Sequence, residues 1–246
     1  MALRVTTLAE RPHLADATAD MPSAWPMFML NDPMADLYYP FCARDHAEHI
    51  LVADDDTDPD VPVARAYTVP FALAGDELPD DGWDGVIRRS HLAKERGREH
   101  DRISALEISI RPDLLGKGLS GVMLDAMRGN AIRLGFSELV APVRPNQKHV
   151  EPETPMEEYA FRTREDGLPY DAWLRVHVRA GARIAKVAPR SMTISGTLDE
   201  WRGWTGLPFD TPGQQIVPKA LSPVHVDLVQ DHAVYVEPNV WVVHTL

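Results

Sequence analysis

Apolar and polar positions alternate with period two through residues 104–110: Leu106, Ile108 and Ile110 fall on one face, and Ala105, Glu107 and Ser109 on the other. This spacing predicts a strand. Beyond Arg111, Pro112 and Asp113 the period lengthens, and Leu119, Val122, Met123, Ala126, Met127, Ala131 and Leu134 keep to one helical stripe. Gly135 stands where a helix C-cap belongs, and a second apolar run fills residues 136–143. Strand, glycine turn, helix and strand make a βαβ unit, which favours parallel pairing within an α/β sheet.

Around this unit the pattern is less regular. Residues 3–8 read as a short strand, and residues 11–34 as broken helices, because Pro22, Pro26 and Pro33 interrupt the helical spacing. Apolar runs at 49–53 and 63–69 flank the acidic segment 54–60, which predicts a hairpin with an exposed acidic loop. Residues 75–102 turn from acidic to basic, with a solvated helix expected in the second half. Helices are expected at 156–164 and 170–180, the latter ended by Gly181. From residue 183 onward the runs 184–188, 191–195, 224–229, 233–237 and 240–244 all read as strands.

Composition narrows the function classes. With 37 acidic against 25 basic residues, the formal charge of -12 argues against nucleic acid as a partner. The single cysteine, Cys42, allows neither an internal disulfide nor a thiolate metal site, which fits a reducing compartment. No apolar stretch reaches the roughly 18 to 20 residues that would cross a bilayer, and the first twenty residues hold no apolar signal-peptide core. The expected location is cytoplasmic, with no membrane partner. His46 and His49 share a helical spacing without a third ligand, so no metal is expected. No G-x-S-x-G elbow is present.

The glycine turn carries the best chemical lead. Gly116 and Gly118 flank Lys117 directly after a strand and at the opening of a helix, where backbone N–H groups converge at the positive end of the helix dipole. Such a turn favours an anion such as phosphate. It lacks the spacing of a Walker A loop and the third glycine of a dinucleotide fingerprint.

The run from Ile110 through Arg111, Pro112, Asp113, Leu114, Leu115, Gly116, Lys117, Gly118 and Leu119 to Ser120 resembles the acyl-CoA pyrophosphate loop of the GNAT superfamily of N-acetyltransferases. That family's pattern is V-x-P followed by [QR]-x-x-G-x-[GA], so Leu115 and Ser120 depart from it. The resemblance implies a mixed, mostly antiparallel α/β sheet with a central, splayed parallel strand pair, flanking helices and, here, a C-terminal β-rich extension. It implies one GNAT-like domain over 1–246. Residues 1–103 would hold the N-terminal strand, acceptor-site helices and hairpin, 104–181 the acyl-CoA-binding core, and 182–246 the C-terminal strands. By the same resemblance Ile108 and Ile110 bind pantetheine through their backbone, and Leu115, Gly116, Lys117, Gly118, Leu119 and Ser120 hold the pyrophosphate. Asn146 matches an asparagine that contacts the donor in many relatives.

The activity so implied is transfer of an acetyl or other short acyl group from acyl-CoA to an amine of a small molecule by direct attack. Acetyl-CoA, or another acyl-CoA, is the donor substrate. The reaction needs a base for the amine and an acid for the leaving thiolate. Glu107, on the strand bordering the acyl site, is the candidate base. His177 stands four residues before Gly181, where the family often carries the tyrosine that protonates the thiolate, and an imidazole with its usual pKa would place a limb of the pH profile near neutrality. Tyr159 and Tyr170 are reserve acids, and Trp25, Phe28 and Tyr38, beside Tyr39, lie where relatives place the acceptor site. Two other readings stay open at this stage: a GNAT-fold transferase using a carrier-bound donor (acyl-carrier protein or aminoacyl-tRNA), and a non-catalytic CoA-binding module. A homodimer also stays open as the assembly.

Overall fold

A computed structural model describes residues 3–246. Among these residues nine strands form one sheet in the order β1-β2-β3-β4-β5-β9-β8-β7, with β6 paired to β9. The first strands are β1 (Leu3–Thr7), β2 (Ile50–Asp55), β3 (Asp58–Phe71) and β4 (Arg102–Ile110), joined antiparallel. β5 (Glu138–Val143) lies parallel to β4, and the long β9 (His232–Thr245) returns antiparallel to β5. β6 (Arg183–Thr197), β7 (Gly213–Gln215) and β8 (Val224–Asp227) complete the C-terminal half. The parallel pairing of β4 with β5 spans only Ile103 with Leu139 and Ser104 with Val140, after which the two strands part. The mixed sheet with a splayed parallel pair and a β-rich extension is thus present.

Alternation in β2 sorts the core onto two faces. Ile50 and Val52 join a large cluster with Phe28, Tyr38, Trp83 and Trp201, while Leu51 and Ala53 join another with Met123, Met127 and Ala131 of α4 (Leu119–Arg133). Val122, expected on the buried stripe of α4, is instead exposed, and Leu124 is buried in its place. A third cluster gathers Tyr159 of α5 (Met156–Ala160), Leu174 of α6 (Ala172–Arg179) and Val242 of β9. The remaining helices are α1 (Ala15–Ala19), α2 (Ala35–Asp45), α3 (Gly82–Glu95) and α7 (Leu198–Thr205). None of the described helices is long and apolar enough to cross a membrane.

Three local expectations are corrected. In β4, Glu107 pairs with Tyr67 and Ala105 with Thr68, leaving Leu106 as the extra residue of a β-bulge. The bulge shifts the pleat by one position, so Leu106 joins the cluster with Trp83 while Ile108 and Ile110 keep to the α4 side. The acidic turn is not wholly exposed either: Asp54 is fully buried, where Arg4 and Arg11 pair with it and the Arg4 hydrogen bonds hold its carboxyl well below the usual range. Finally, Leu198–Thr205 breaks the run of strands as a helix, begun by a capping box in which Thr197 and Glu200 each accept from the other's backbone N–H. In the same half, the runs 184–188 and 191–195 merge into β6, whose register against β9 shifts between Ile184 and Lys186 and again between Ala188 and Met192.

Asp32, buried in the N-terminal segment, faces the half-buried Asp84 of α3. Asp32 accepts from Met34 N–H at 2.8 Å and Asp84 from Thr193 N–H at 3.0 Å, while one further oxygen of each meets no other protein donor. Burial, together with the neighbouring carboxyl, pushes Asp84 up to about 8, and burial raises Asp32 as well, so the pair shares a proton at neutral pH. The folded state therefore keeps a proton that the unfolded chain releases near pH 4. Its stabilising share is complete below that pH and is lost as pH rises through about 8. Asp84→Asn supplies a permanent donor to Asp32 and should raise Tm at pH 8.5 by roughly 3–10 °C, with little change at pH 5. Thermal melts across that range check this; an equal shift at both pH values counts against the shared proton.

Candidate active site

The parting of β4 from β5 opens a cavity of about 810 Å³. Its walls are residues 105–110 of β4 and 141–143 of β5, and it extends from the turn before α4 to the N-terminal helices. At the turn, Gly116 and Gly118 both have φ of +78°, in the left-handed region open to glycine. Gly118 is the N-cap of the 15-residue α4 and brings no side chain over the helix end, so the first N–H groups of α4 are left free for an anion. A Cβ at either glycine would meet nothing within 4 Å, as expected where the backbone is cleared for a ligand.

Most of the residues singled out in the sequence meet in this cavity. Ile108, Ile110, Leu115, Gly116, Gly118, Leu119, Ser120 and Asn146 line it, as do Glu107, His177 and Trp25. Lys117 is exposed and outside the lining. Phe28 and Tyr38 are core residues rather than cavity residues: Phe28 stacks on Trp201 with ring centroids 5.8 Å apart, and Tyr38 donates to the Thr68 carbonyl at 2.9 Å. Tyr39, one residue on, takes the cavity position. The reserve acids also lie outside the lining. Tyr159 donates to Asp171 Oδ2 at 2.9 Å, where burial and that carboxylate raise its pKa further, and Tyr170 is half exposed.

Glu107 is buried, and both of its oxygens accept: Oε1 from Arg65 Nε at 3.1 Å and Oε2 from Tyr39 Oη at 2.7 Å. Arg65 is itself anchored, donating to the Thr18 and Ala19 carbonyls at 2.8 and 2.9 Å. A carboxylate has about four acceptor sites, so two remain for a ligand. The bulge beside it is also held, since Trp83 Nε1 donates to the Leu106 carbonyl at 3.0 Å.

His177 is placed by the start and the end of α6. Asp171 caps the N-terminus, accepting from Trp173 and Leu174 N–H at 2.9 and 3.1 Å. At the other end Gly181, with φ of +89°, turns the chain so that Ala182 N–H reaches the His177 carbonyl at 3.0 Å. The imidazole is 2 % exposed, packs edge-on to Trp173, and burial drives its pKa down to about 3. It is therefore neutral across any ordinary assay range, which corrects the expectation of a pH limb near neutrality.

Sequence reasoning missed a second ion pair in the cavity wall. Glu237, fully buried in β9, accepts from Arg144 Nε at 2.9 Å, Tyr235 Oη at 2.7 Å and Asn239 Nδ2 at 2.9 Å. The Arg144 guanidinium lies over the Trp25 ring, 5.8 Å from its centroid. Arg65 is flanked by Val63, Ala64, Ala66 and Tyr67, and Glu237 follows the apolar run 233–236, and a charge set in or against such a run is a signal that would have found them. Among the described residues no group of three or more His, Cys, Asp or Glu side chains could hold a metal ion.

No family model matches the chain. The arginine N-acetyltransferase avaD of Aspergillus versicolor, a curated relative, is 33% identical over 270 aligned residues, which cover 98% of this chain and 93% of that one. The chain belongs to the GNAT superfamily of N-acetyltransferases. As a GNAT enzyme it transfers an acyl group from CoA to an amine. Two solved structures share the GNAT fold over the whole chain. The loading GNATL domain of CurA from Lyngbya majuscula matches over 98% of its length, with a TM-score of 0.58 and 16% identity. The GphF GNAT-like decarboxylase in complex with isobutyryl-CoA matches over 99% of its length, with a TM-score of 0.53 and 15% identity.

Proposed function

We propose that this GNAT enzyme acetylates arginine, or a close cationic relative of it, with acetyl-CoA as the donor. The observation that carries the reading is the whole-length similarity to an arginine N-acetyltransferase. The cavity supports it, because two carboxylates, Glu107 and Glu237, stand in its wall beside two guanidiniums, Arg65 and Arg144. Arginine brings two cationic groups and one carboxylate, and opposite charges meet it in both respects.

In this reading the amides of the turn at Gly116 and Gly118 hold the pyrophosphate, the backbone of Ile108 and Ile110 aligns the pantetheine arm, and Asn146 contacts the donor. Glu107 takes one proton from the ammonium and later releases it to solvent. The freed amine attacks the thioester carbon, the C–N bond forms, the C–S bond breaks, and the electron pair leaves on sulfur. The second proton lost by nitrogen ends on sulfur. His177 Nε2–H donates a hydrogen bond to that sulfur as its charge develops.

Incubation with acetyl-CoA and L-arginine, agmatine, lysine or a simple alkylamine, followed by mass spectrometry of the product, tests the assignment. Acetylarginine formed with the highest kcat/KM of the panel is expected; turnover of the alkylamine alone would move the acceptor to another class. His177→Phe should lower kcat by roughly 10- to 100-fold. Because the parent imidazole is neutral above about pH 3, the ratio of parent to variant should stay flat from pH 6 to 9. His177→Tyr should recover most of the loss by restoring a donor. Full activity of His177→Phe at every pH would remove the residue from the chemistry.

A further inference from the structure

We infer that His244 is a positioning residue, which donates its Nε2–H to His177 Nδ1 and thereby keeps the proton of His177 on Nε2. The inference rests on the reading of His177 as donor to the leaving sulfur, and it names what makes that imidazole a donor rather than a base. His244 lies near the end of β9, opposite Leu139 of β5, and is fully buried. Its Nε2 is 2.9 Å from His177 Nδ1.

Two neutral imidazoles carry one N–H each, so this contact has two arrangements with opposite consequences. If His177 donates, its Nε2 carries a bare lone pair and acts as a base. If His244 donates, His177 Nε2 carries the proton and acts as a donor. Burial drives the pKa values of His177 and His244 down to about 3 and about 4, so each ring holds a single proton at working pH.

Two observations choose between the arrangements. His244 Nδ1 is buried and meets no protein partner. Were His177 the donor, that atom would be a stranded N–H; with His244 as the donor it is only an unfilled lone pair, and buried orphan donors are the rarer and costlier defect. The second observation is Arg128 of α4. Its charge lowers the pKa of His244, and its own Nε is a buried donor lacking a partner. A guanidinium nearby favours a lone pair over an N–H on the ring atom that His177 does not engage. Asp125 acts on His244 in the opposite sense, but it comes after Arg128 in effect, is largely exposed, and is paired with Arg128 at 3.5 Å.

During collapse of the tetrahedral intermediate, His177 thus keeps its proton and shares it with sulfur, while sulfur receives the proton that nitrogen loses. The other tautomer would set a nitrogen lone pair against the departing thiolate. The sign of the interaction depends on His244.

The test is direct. Two-bond 1H–15N spectra of the labelled protein at pH 7.5 should show His177 protonated at Nε2 and bare at Nδ1. His244→Gln retains a side-chain N–H donor and should keep both that tautomer and most of kcat. His244→Leu should mix the tautomers and lower kcat by roughly 10-fold or more, with KM for acetyl-CoA nearly unchanged. A parent spectrum with His177 protonated at Nδ1 overturns the inference, as does a His244→Leu enzyme with full kcat while His177→Phe is impaired. Should His244→Leu fail to fold, the parent spectrum and His244→Gln decide. If the spectrum is as expected but His177→Phe is fully active, the tautomer stands and the donor role of His177 is what fails.

Discussion

Gly118→Asp should abolish acyl-CoA binding, seen as loss of the ligand-induced rise in melting temperature. A ligand present at a hundred times its Kd adds about 2.7 kcal/mol to the folded state. For a chain of this size that corresponds to roughly 5–10 °C. The parent should show this rise with acetyl-CoA. In the variant a carboxylate grows from the N-cap of α4 into space that is open within 4 Å, where the free helix N–H groups would receive the pyrophosphate. Two anions cannot share that place. The left-handed φ of +78° adds its own cost of about 1–2 kcal/mol for any side chain, so Gly118→Ala is the proper comparison. It should lower Tm without ligand yet keep a measurable rise with acetyl-CoA. An undiminished rise in Gly118→Asp would mean that the donor phosphates bind elsewhere.

Glu107→Gln should slow turnover by about 100-fold or more while the Kd for acetyl-CoA changes little. The amide preserves shape, its oxygen accepting from Arg65 and its NH2 donating to the Tyr39 hydroxyl, but it cannot take a proton from the ammonium. The same exchange removes the charge partner of Arg65, so the melting temperature of the variant should be recorded beside its rate. Arg65 retains the Thr18 and Ala19 carbonyls, which should hold the loss of stability small beside the loss of rate. A fall in kcat below about threefold would move the base to a water chain or to another wall residue.

Local pattern by itself determined the βαβ unit at the centre of this protein. The period-two run of β4, the glycine turn, the 3.6-residue stripe of α4 and the apolar run of β5 each express a backbone rule that needs no distant partner. The turn at Gly116 and Gly118 was legible for the same reason, since left-handed φ and an open helix end are properties of a few consecutive residues. The capping box at Thr197 and Glu200 was equally local, although the surrounding strand-like runs obscured it.

What joins residues far apart in the chain was decided by the tertiary structure. The bulge at Leu106 arises from register against β3, and it changes the face on which each β4 side chain lies without changing the apolar pattern. The choice of Tyr39 for the cavity and Tyr38 for the core is a matter of one step around a helix, settled by where Thr68 and Glu107 stand to receive the two hydroxyls. His177 carries in sequence the pKa of a free imidazole; only burial against Trp173 and His244 makes it neutral, because desolvation acts through the surroundings of a group and not through its neighbours in the chain. Arg65 with Glu107, and Arg144 with Glu237, are separated by 42 and 93 positions, and these pairings, which give the cavity its charge, exist only once the sheet has brought the strands together.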